Sequence, residues 1–410
     1  MNHSLFSVYG IEVEYMIIDK DSFDVLPITD KLIYQVANEY LNEIEQGEIA
    51  WSNELALHVI ELKTNGPAKT LKGLPELFLK NLTNIQKILD EMNAKLLPGA
   101  MHPWMDPYKE TKLWLHDSKE IYDTYDRIFN CQGHGWSNLQ SMHINLPFAD
   151  DREFKLLHSA IRTILPILPA MSASSPIVDG EITGLMDTRL EVYRRNAERI
   201  PSITGLIVPE AVSSEQEYQD VILKPMYKDI AKYDPEKILQ EEWLNSRGAI
   251  ARFDRNAIEI RVLDTQETPA VDLALATVTT KVIKKLTEGK WSSNHEQNKL
   301  ETAKLADILM ATIKDAEYAV ISDKAFLNLF RFPEKKCNAK ELWYYLFENI
   351  MFDDESYESS QDIISSILKQ GPLARRMLNS VGKNVKQTHL KEMCQALSSS
   401  LIKGEMYHGF

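Results

Sequence analysis

Residues 7–18 read SVYGIEVEYMII, an alternation with Ile11, Val13, Tyr15 and Ile17 on one side and Glu12 and Glu14 on the other. On a strand, side chains two apart share a face and stand roughly 7 Å apart. Such a segment belongs in a sheet with one face buried and one face charged. A surface strand with a solvated outer face has the same pattern, so this pair of glutamates alone does not name a site.

The other periodicities build around that strand. Residues 28–46 and 70–96 read as amphipathic helices, the second with a stripe of Leu74, Leu77, Ile85, Ile88, Leu89 and Met92. Further strands are expected at 55–63, 140–147 and 248–264, and further helices at 151–170, 187–199, 216–232 and 269–287. The polar stretch GKWSSNHEQN (289–298) breaks the pattern. It marks a junction between a unit over 1–288 and a mostly helical segment over 299–410, which carries an acidic loop at MFDDESYESSQD (351–362). Strands and helices do not alternate strictly, so the expected class is α+β with an antiparallel sheet.

Composition narrows the function. With 44% hydrophobic and 26% charged residues, the 410-residue chain is an ordinary globular protein able to bury a large core. Cys131, Cys337 and Cys394 lie far apart without metal or redox spacing, which fits a reducing cytoplasmic setting. The first residues show no signal peptide, and no apolar run is long enough to cross a bilayer. A net charge of -14 argues against nucleic acid and anionic membranes as partners.

Four constellations carry chemistry. The first is Glu12 with Glu14. The second is RNAIEIRVLD (255–264), where Ile258, Ile260 and Val262 form an apolar face while Glu259 and Arg261 share the other, with Arg247 and Arg252 upstream. A carboxylate beside arginines suits a metal–polyphosphate site, since one holds the cation and the other forks onto phosphate oxygens; a surface ion pair gives the same pattern. The third is His143 on the polar side of SMHIN, near His134 and Trp136. The fourth is NELALHVIELKT (53–64): Glu61 falls in an apolar strand, where a lone carboxylate is costly and wants a cation, and Glu54 has the opposite parity, placing it on an entry turn or across a bulge. Carboxylate oxygens with one imidazole suit Mg2+ or Mn2+ rather than zinc. The chain has no GxxxxGK[ST], GxGxxG, HExxH or GxSxG motif, so a nucleotide would be held by metals and arginines.

Several ordered blocks resemble the type-2 glutamate–cysteine ligase (carboxylate–amine ligase) family, of the glutamine synthetase-like superfamily. They are GIEVEY (10–15), NELALHVIELKT, QSMHINLPF (140–148), SASSPIVDGEITGLMDTRLEVYRRNAERIPSITG (172–205) and SRGAIARFDRNAIEIRVLDTQE (246–267), with a faint late counterpart at GPLARR (371–376). The resemblance implies a curved antiparallel sheet with metals on its concave face, helices outside it and a mainly helical C-terminal segment. It implies Glu12, Glu14, Glu54, Glu61, His143 and Glu259 as ligands of Mg2+ ions. It also implies Arg261, Arg252 and Arg247 as residues acting on the phosphates, with Arg252, Arg261 and Arg375 holding ATP. The chain departs from the family at Ser141, where many relatives have a second histidine, and at Pro372-Leu373-Ala374-Arg375, which keeps only the arginine of the late motif.

The implied activity is ATP-dependent joining of a carboxylate to an amine through an acyl-phosphate, with glutamate and cysteine, the pair that begins glutathione synthesis, as first choice and another amino acid or small amine as the alternative. The partners expected are those small molecules and a second copy of the chain in a homodimer. A metal-dependent hydrolase or a non-catalytic nucleotide-binding relative are the readings from other classes. The glycine-containing stretch Asp179–Thr188 is the expected lid.

Overall fold

The computed structural model describes residues 3–351 and 358–409. Its main sheet has eight strands: β1 (Gly10–Asp19), β2 (Glu43–Gln46), β3 (Ile49–Asn53), β4 (Val59–Thr64), β5 (Ala94–Leu97), β6 (Ser141–Pro147), β7 (Ala249–Arg252) and β8 (Ala257–Asp264). They run in the order β2-β3-β4-β1-β6-β8-β7, with β5 pairing the second half of β1, and every pairing is antiparallel. The charged strand read from the sequence is thus the centre of the sheet, flanked by the two strands that carry Glu61 and His143.

The two faces part as the alternation requires. Ile11, Val13, Tyr15, Ile60, Leu62, Ile144, Leu146, Ile258 and Ile260 are fully buried in one continuous core with helical residues such as Phe78, Leu82, Leu157 and Ala274. The helices behind the sheet include α1 (Thr29–Ala37), α2 (Leu74–Glu91), α3 (Asp151–Ile164), α4 (Pro269–Thr287), α5 (Ala339–Met351) and α6 (Glu358–Gln370), while α7 (Gln387–Lys403) packs Leu390, Met393 and Leu397 with Met16 and Ile18 of the other side of β1. Helix α4 is apolar on almost every side, so it must be surrounded. It packs against α2, α3, α5 and α6. Thr268 caps it by accepting the amide of Val271, and Pro269 supplies a first-turn residue with no amide to satisfy.

Several boundaries differ from the sequence expectation, each for a local reason. The helix expected over 28–46 stops at Ala37, because Asn38 takes the left-handed conformation (φ 56°). The chain then forms the β2–β3 hairpin, turning at Gly47 with φ 75°. The strand expected over 55–63 is the loop after β3 followed by β4. The one over 248–264 is a hairpin, β7 and β8, reversing near Asn256 at φ 52°. The helix expected over 70–96 ends at Glu91 and the chain re-enters the sheet as β5 after Asn93 at φ 54°.

The helix over 187–199 covers only Thr188–Tyr193, and that over 151–170 tightens into a 3-10 turn at Leu165–Ile167, which contains Pro166. The helix over 216–232 is two pieces, Glu215–Tyr218 and Lys224–Ile230, joined by a π-helical turn just ahead of Pro225. Of the acidic loop expected over 351–362, residues 352–357 lie outside the described residues, and α6 begins at Glu358. The expected lid contains the Glu181–Ile182 half of a small hairpin with Ile177–Val178. Among the described residues no helix is long and apolar enough to cross a membrane.

Candidate active site

The face of the sheet opposite that core collects the charged residues because register and parity leave them no other place, and Glu14, Glu61, His143 and Glu259 are buried there. Glu14 lies directly across from Glu61, Glu12 from His143, Glu259 from Asn145 and Ser52 from Glu61. A β-bulge interrupts the β6–β8 register between Ile260 and Leu263, at Arg261-Val262. That extra residue increases local twist and re-aims the side chain it carries.

The contacts form one connected network. Glu14 accepts hydrogen bonds from the Ser141 amide (2.7 Å) and hydroxyl (3.2 Å), and that hydroxyl lies 2.8 Å from His143 Nε2. His143 Nδ1 is 3.2 Å from Glu12 and 3.7 Å from Glu259. Asn145 donates to Glu12 at 2.9 Å and Ser52 to Glu61 at 2.6 Å. Ligand atoms of Glu12, His143 and Glu259 all lie within 4.8 Å of one another, as do those of Glu14, Glu61 and His143. Ser141 therefore bridges carboxylate and imidazole at the position where many relatives of the resembled family have a histidine.

The charges press on each other. Burial and the charge of Glu12 push the Glu61 carboxyl up to about 7. Glu54, in the loop after β3, is raised well above its ordinary value by burial and by Glu14 and Glu61. Burial acts on Glu12 as well, but its hydrogen bond to His143 and the charges of His143 and Lys63 hold it down at about 2. For His143 burial favours the neutral ring, and the Glu12 hydrogen bond with Glu259 and Glu14 outweighs it to raise the pKa. Five carboxylates crowded around one imidazole repel one another, and closely spaced hard oxygen donors of this kind fit a divalent cation such as Mg2+.

A cavity of 400 Å³ opens beside the network. Glu14, Glu54 and His143 line it together with Arg189, Arg252, Arg255 and Arg261. Tyr122, Tyr125, Trp136, Tyr193 and Trp243 form an aromatic wall, with Tyr125 5.1 Å from Trp136 and 6.0 Å from Trp243 between ring centres. Arg261 Nε pairs with Glu259 at 2.9 Å, and Arg252 lies 3.9 Å from the same carboxylate while chelating Asp254.

Of the arginines singled out from sequence, Arg252 and Arg261 reach this cavity and two do not. Arg247 is buried elsewhere: it chelates Glu210 (2.6 and 2.8 Å) and donates to the Ser202 carbonyl, holding the 201–210 loop. Arg375 pairs with Glu317 at 2.7 Å and lies over the Tyr318 ring, away from the cavity walls. The six expected ligands Glu12, Glu14, Glu54, Glu61, His143 and Glu259 all lie on the network or the cavity wall.

Sequence reasoning did not single out Arg189. It is 2% exposed, its Nε donates to the fully buried Asp264, and its terminal nitrogens reach the Arg261 carbonyl at 3.3 and 3.4 Å. Asp264 also accepts from the Ser174 amide (2.7 Å) and the Ser175 hydroxyl (2.9 Å), fixing the SASSP turn beside the site. The available signal was an aspartate closing an apolar strand, which needs a buried cation as partner.

Against known proteins, the family model for glutamate–cysteine ligase family 2 matches residues 8–317. An uncharacterized protein of Archaeoglobus fulgidus is 31% identical over 97% of this chain and 99% of its own length. A protein of Ruegeria pomeroyi named "Putative glutamate--cysteine ligase 2" is 27% identical over 51% of this chain and 50% of its own length, so the match spans about half of that relative. Among solved structures, the glutamate–cysteine ligase of Francisella tularensis, in complex with AMP, superposes with a TM-score of 0.58 over 96% of this chain and 89% of that one, at 13% identity, a likeness of fold. The antiparallel sheet with its charged face and helical back is a glutamine synthetase-like fold, and the chain belongs to glutamate–cysteine ligase family 2 as an ATP-dependent ligase.

Proposed function

We propose that this ligase joins a small carboxylate to a small amine through an acyl-phosphate, with glutamate and cysteine as the pair to try first. The observation that carries the reading is the convergence of Glu12, Glu14, Glu61, His143 and Glu259 on one face of the sheet, beside a cavity with four arginines. In this reading Glu12, His143 and Glu259 would hold one Mg2+ or Mn2+ ion, and Glu14 and Glu61 would hold a second, with Glu54 on the cavity wall. When bound, the ions neutralise ATP's phosphates and the charge that develops on the transferring group.

The chain's own residues supply the rest. Arg252 and Arg261 sit where phosphate oxygens would replace their present carboxylate partners, and Arg261 is directed there by the bulge. Arg189, held by Asp264, offers a second cation for a substrate carboxylate. Glu54, whose carboxyl is raised by burial and by Glu14 and is not among the ligands of either ion here, suits the proton that the amine must lose. The aromatic wall excludes water, which would hydrolyse an acyl-phosphate. His134 holds Asp179 of the expected lid at 3.1 Å beside Gly135 and Trp136 of that wall. We place the chemistry in residues 1–288 and give 299–410 a supporting role; a homodimer and a cytoplasmic location complete the proposal.

The test is phosphate release from Mg-ATP with glutamate, cysteine, both together and a wider panel of acids and amines. Release that needs both an acid and an amine supports the reading and names the pair. Release with water as the acceptor, or turnover without ATP, overturns it.

A further inference from the structure

His143 has two ring nitrogens, and the network engages them differently. Nδ1 faces Glu12 at 3.2 Å and Glu259 at 3.7 Å, while Nε2 faces the Ser141 hydroxyl at 2.8 Å. Ser141 and His143 stand two apart on β6, so their side chains leave the same side of the strand. Each is 6% exposed, so a ring N–H there needs its partner within the protein.

An imidazole gives a metal ion a bare nitrogen, and its one proton then sits on the other. The carboxylates flank both nitrogens: Glu12 and Glu259 lie at Nδ1, and Glu14 meets the Ser141 hydroxyl that lies at Nε2. The hydrogen bonds choose between them. The Ser141 hydroxyl has a single hydrogen to give, and Glu14, 3.2 Å away, is a carboxylate that only accepts. With that hydrogen on Glu14, the serine oxygen keeps its lone pairs for an Nε2–H donor. The reverse order would leave the Ser141 and Glu14 oxygens 3.2 Å apart with no hydrogen between them. The Ser141 amide binds the same Glu14 oxygen, Oε2, at 2.7 Å, so both bonds fall on one oxygen and Oε1 remains for a cation.

We infer that Ser141 is a positioning residue for the metal: by accepting Nε2–H of His143 and donating to Glu14, it commits the bare Nδ1 to the ion that Glu12 and Glu259 would hold. The ion assigned to Glu14 and Glu61 then receives no imidazole. This rests on the metal reading proposed above and deepens it, since the two groupings that could each have used the ring become one mixed nitrogen–oxygen site and one of oxygen alone. Side chains that hold the far nitrogen of a metal-bound histidine set its orientation and tautomer, and their loss weakens the metal without removing a ligand.

The test uses the full-length protein without ATP, with Mn2+ binding followed by electron paramagnetic resonance of the free ion. Ser141→Ala should weaken one Mn2+ roughly tenfold, and Ser141→Thr, which keeps the hydroxyl, should hold the native affinity. Ser141→Ala added to His143→Ala should cost less than about twofold more, because the serine acts through the ring. Nitrogen NMR of isotope-labelled histidine in the Mg2+-loaded protein should place the His143 proton on Nε2, the signal being identified by its loss in His143→Ala. A proton on Nδ1 in that state, or a Ser141→Ala effect equal with and without His143, overturns the inference and leaves the metal site standing. No Mn2+ binding by the native protein removes the metal site itself, and the inference with it.

Discussion

Glu61 shows how one side chain ties stability to cation binding. It sits 6% exposed, across from Glu14, with Ser52 donating to it and Lys63 3.5 Å away. Its carboxyl is pushed from 4.5 to about 7 by burial and by Glu12. A raised carboxyl favours the protonated form, so the cost of ionising it is absent below pH 4.5, grows between 4.5 and 7 and is complete above. We expect Glu61→Gln to stabilise the cation-free protein at pH 8 by on the order of 1–3 kcal/mol and to leave it unchanged at pH 4.5. Mg2+ should raise the melting temperature of the native chain more at pH 8 than at pH 5, and raise that of the variant less. Denaturation in EDTA and in Mg2+ checks both, and an equal Mg2+ effect in the two proteins would remove Glu61 from the site. The arginines separate in the same way. Arg247→Ala should cost about 2–3 kcal/mol, because Glu210 and the 201–210 carbonyls lose their donor, with turnover per folded molecule retained. Arg252→Ala should change stability by under about 0.5 kcal/mol and slow turnover roughly 10²-fold. Parallel melting curves and phosphate-release assays decide; the reverse pattern would return Arg247 to the chemistry.

Among the elements, those with a long single period were legible. Helix α4 runs over Pro269–Thr287 as read, and β1 and β6 fall within a residue or two of expectation at their starts or ends. Boundaries went astray where one residue in a left-handed conformation redirected the chain, as at Asn38, Gly47, Asn93 and Asn256, since such turns leave no trace in hydrophobic period. The candidate ligands were legible because parity alone sends Glu12, Glu14 and Glu259 to one face, while Arg261 stands at a bulge that parity does not foresee. Arg189 was not, because its partner Asp264 is distant in sequence and only the fold joins them. Arg247 misled because proximity in sequence to Arg252 says nothing about direction. The β8 bulge belongs to this scale too. Gly248 accepts the Arg261 amide at 2.9 Å, and a Cβ there would run into Val262 and come within 2.9 Å of Ile207. Gly248→Ala should therefore cost about 1–3 kcal/mol by overpacking and depress turnover by shifting Arg261. Melting and phosphate release on the same sample check this, and unchanged values would mean that the bulge yields freely.

The whole molecule turns on how the helical C-terminal segment meets the sheet. Its helices α5 and α6 cover α4, whose buried positions run along nearly its entire length. Farther on, Arg376 donates to the fully buried Glu267, in the turn between β8 and α4, and to the Tyr407 carbonyl, while the Tyr407 amide donates back to Glu267 at 3.2 Å. Removing the segment would bare an apolar helix and strand a buried carboxylate a few residues from Arg261, and a buried charge without its partner costs about 3–5 kcal/mol. The junction near 289–298 is thus a boundary in composition, while the core runs across it from Ile11 to Leu401. Residues 1–298 expressed alone should be insoluble or lack a cooperative melting transition. Glu267→Gln in the full chain, a milder break of the same node, should fold with reduced stability. Circular dichroism and gel filtration check both, and a soluble, cooperatively melting 1–298 fragment with Mg2+-dependent phosphate release would show that the first unit stands without its helical cover.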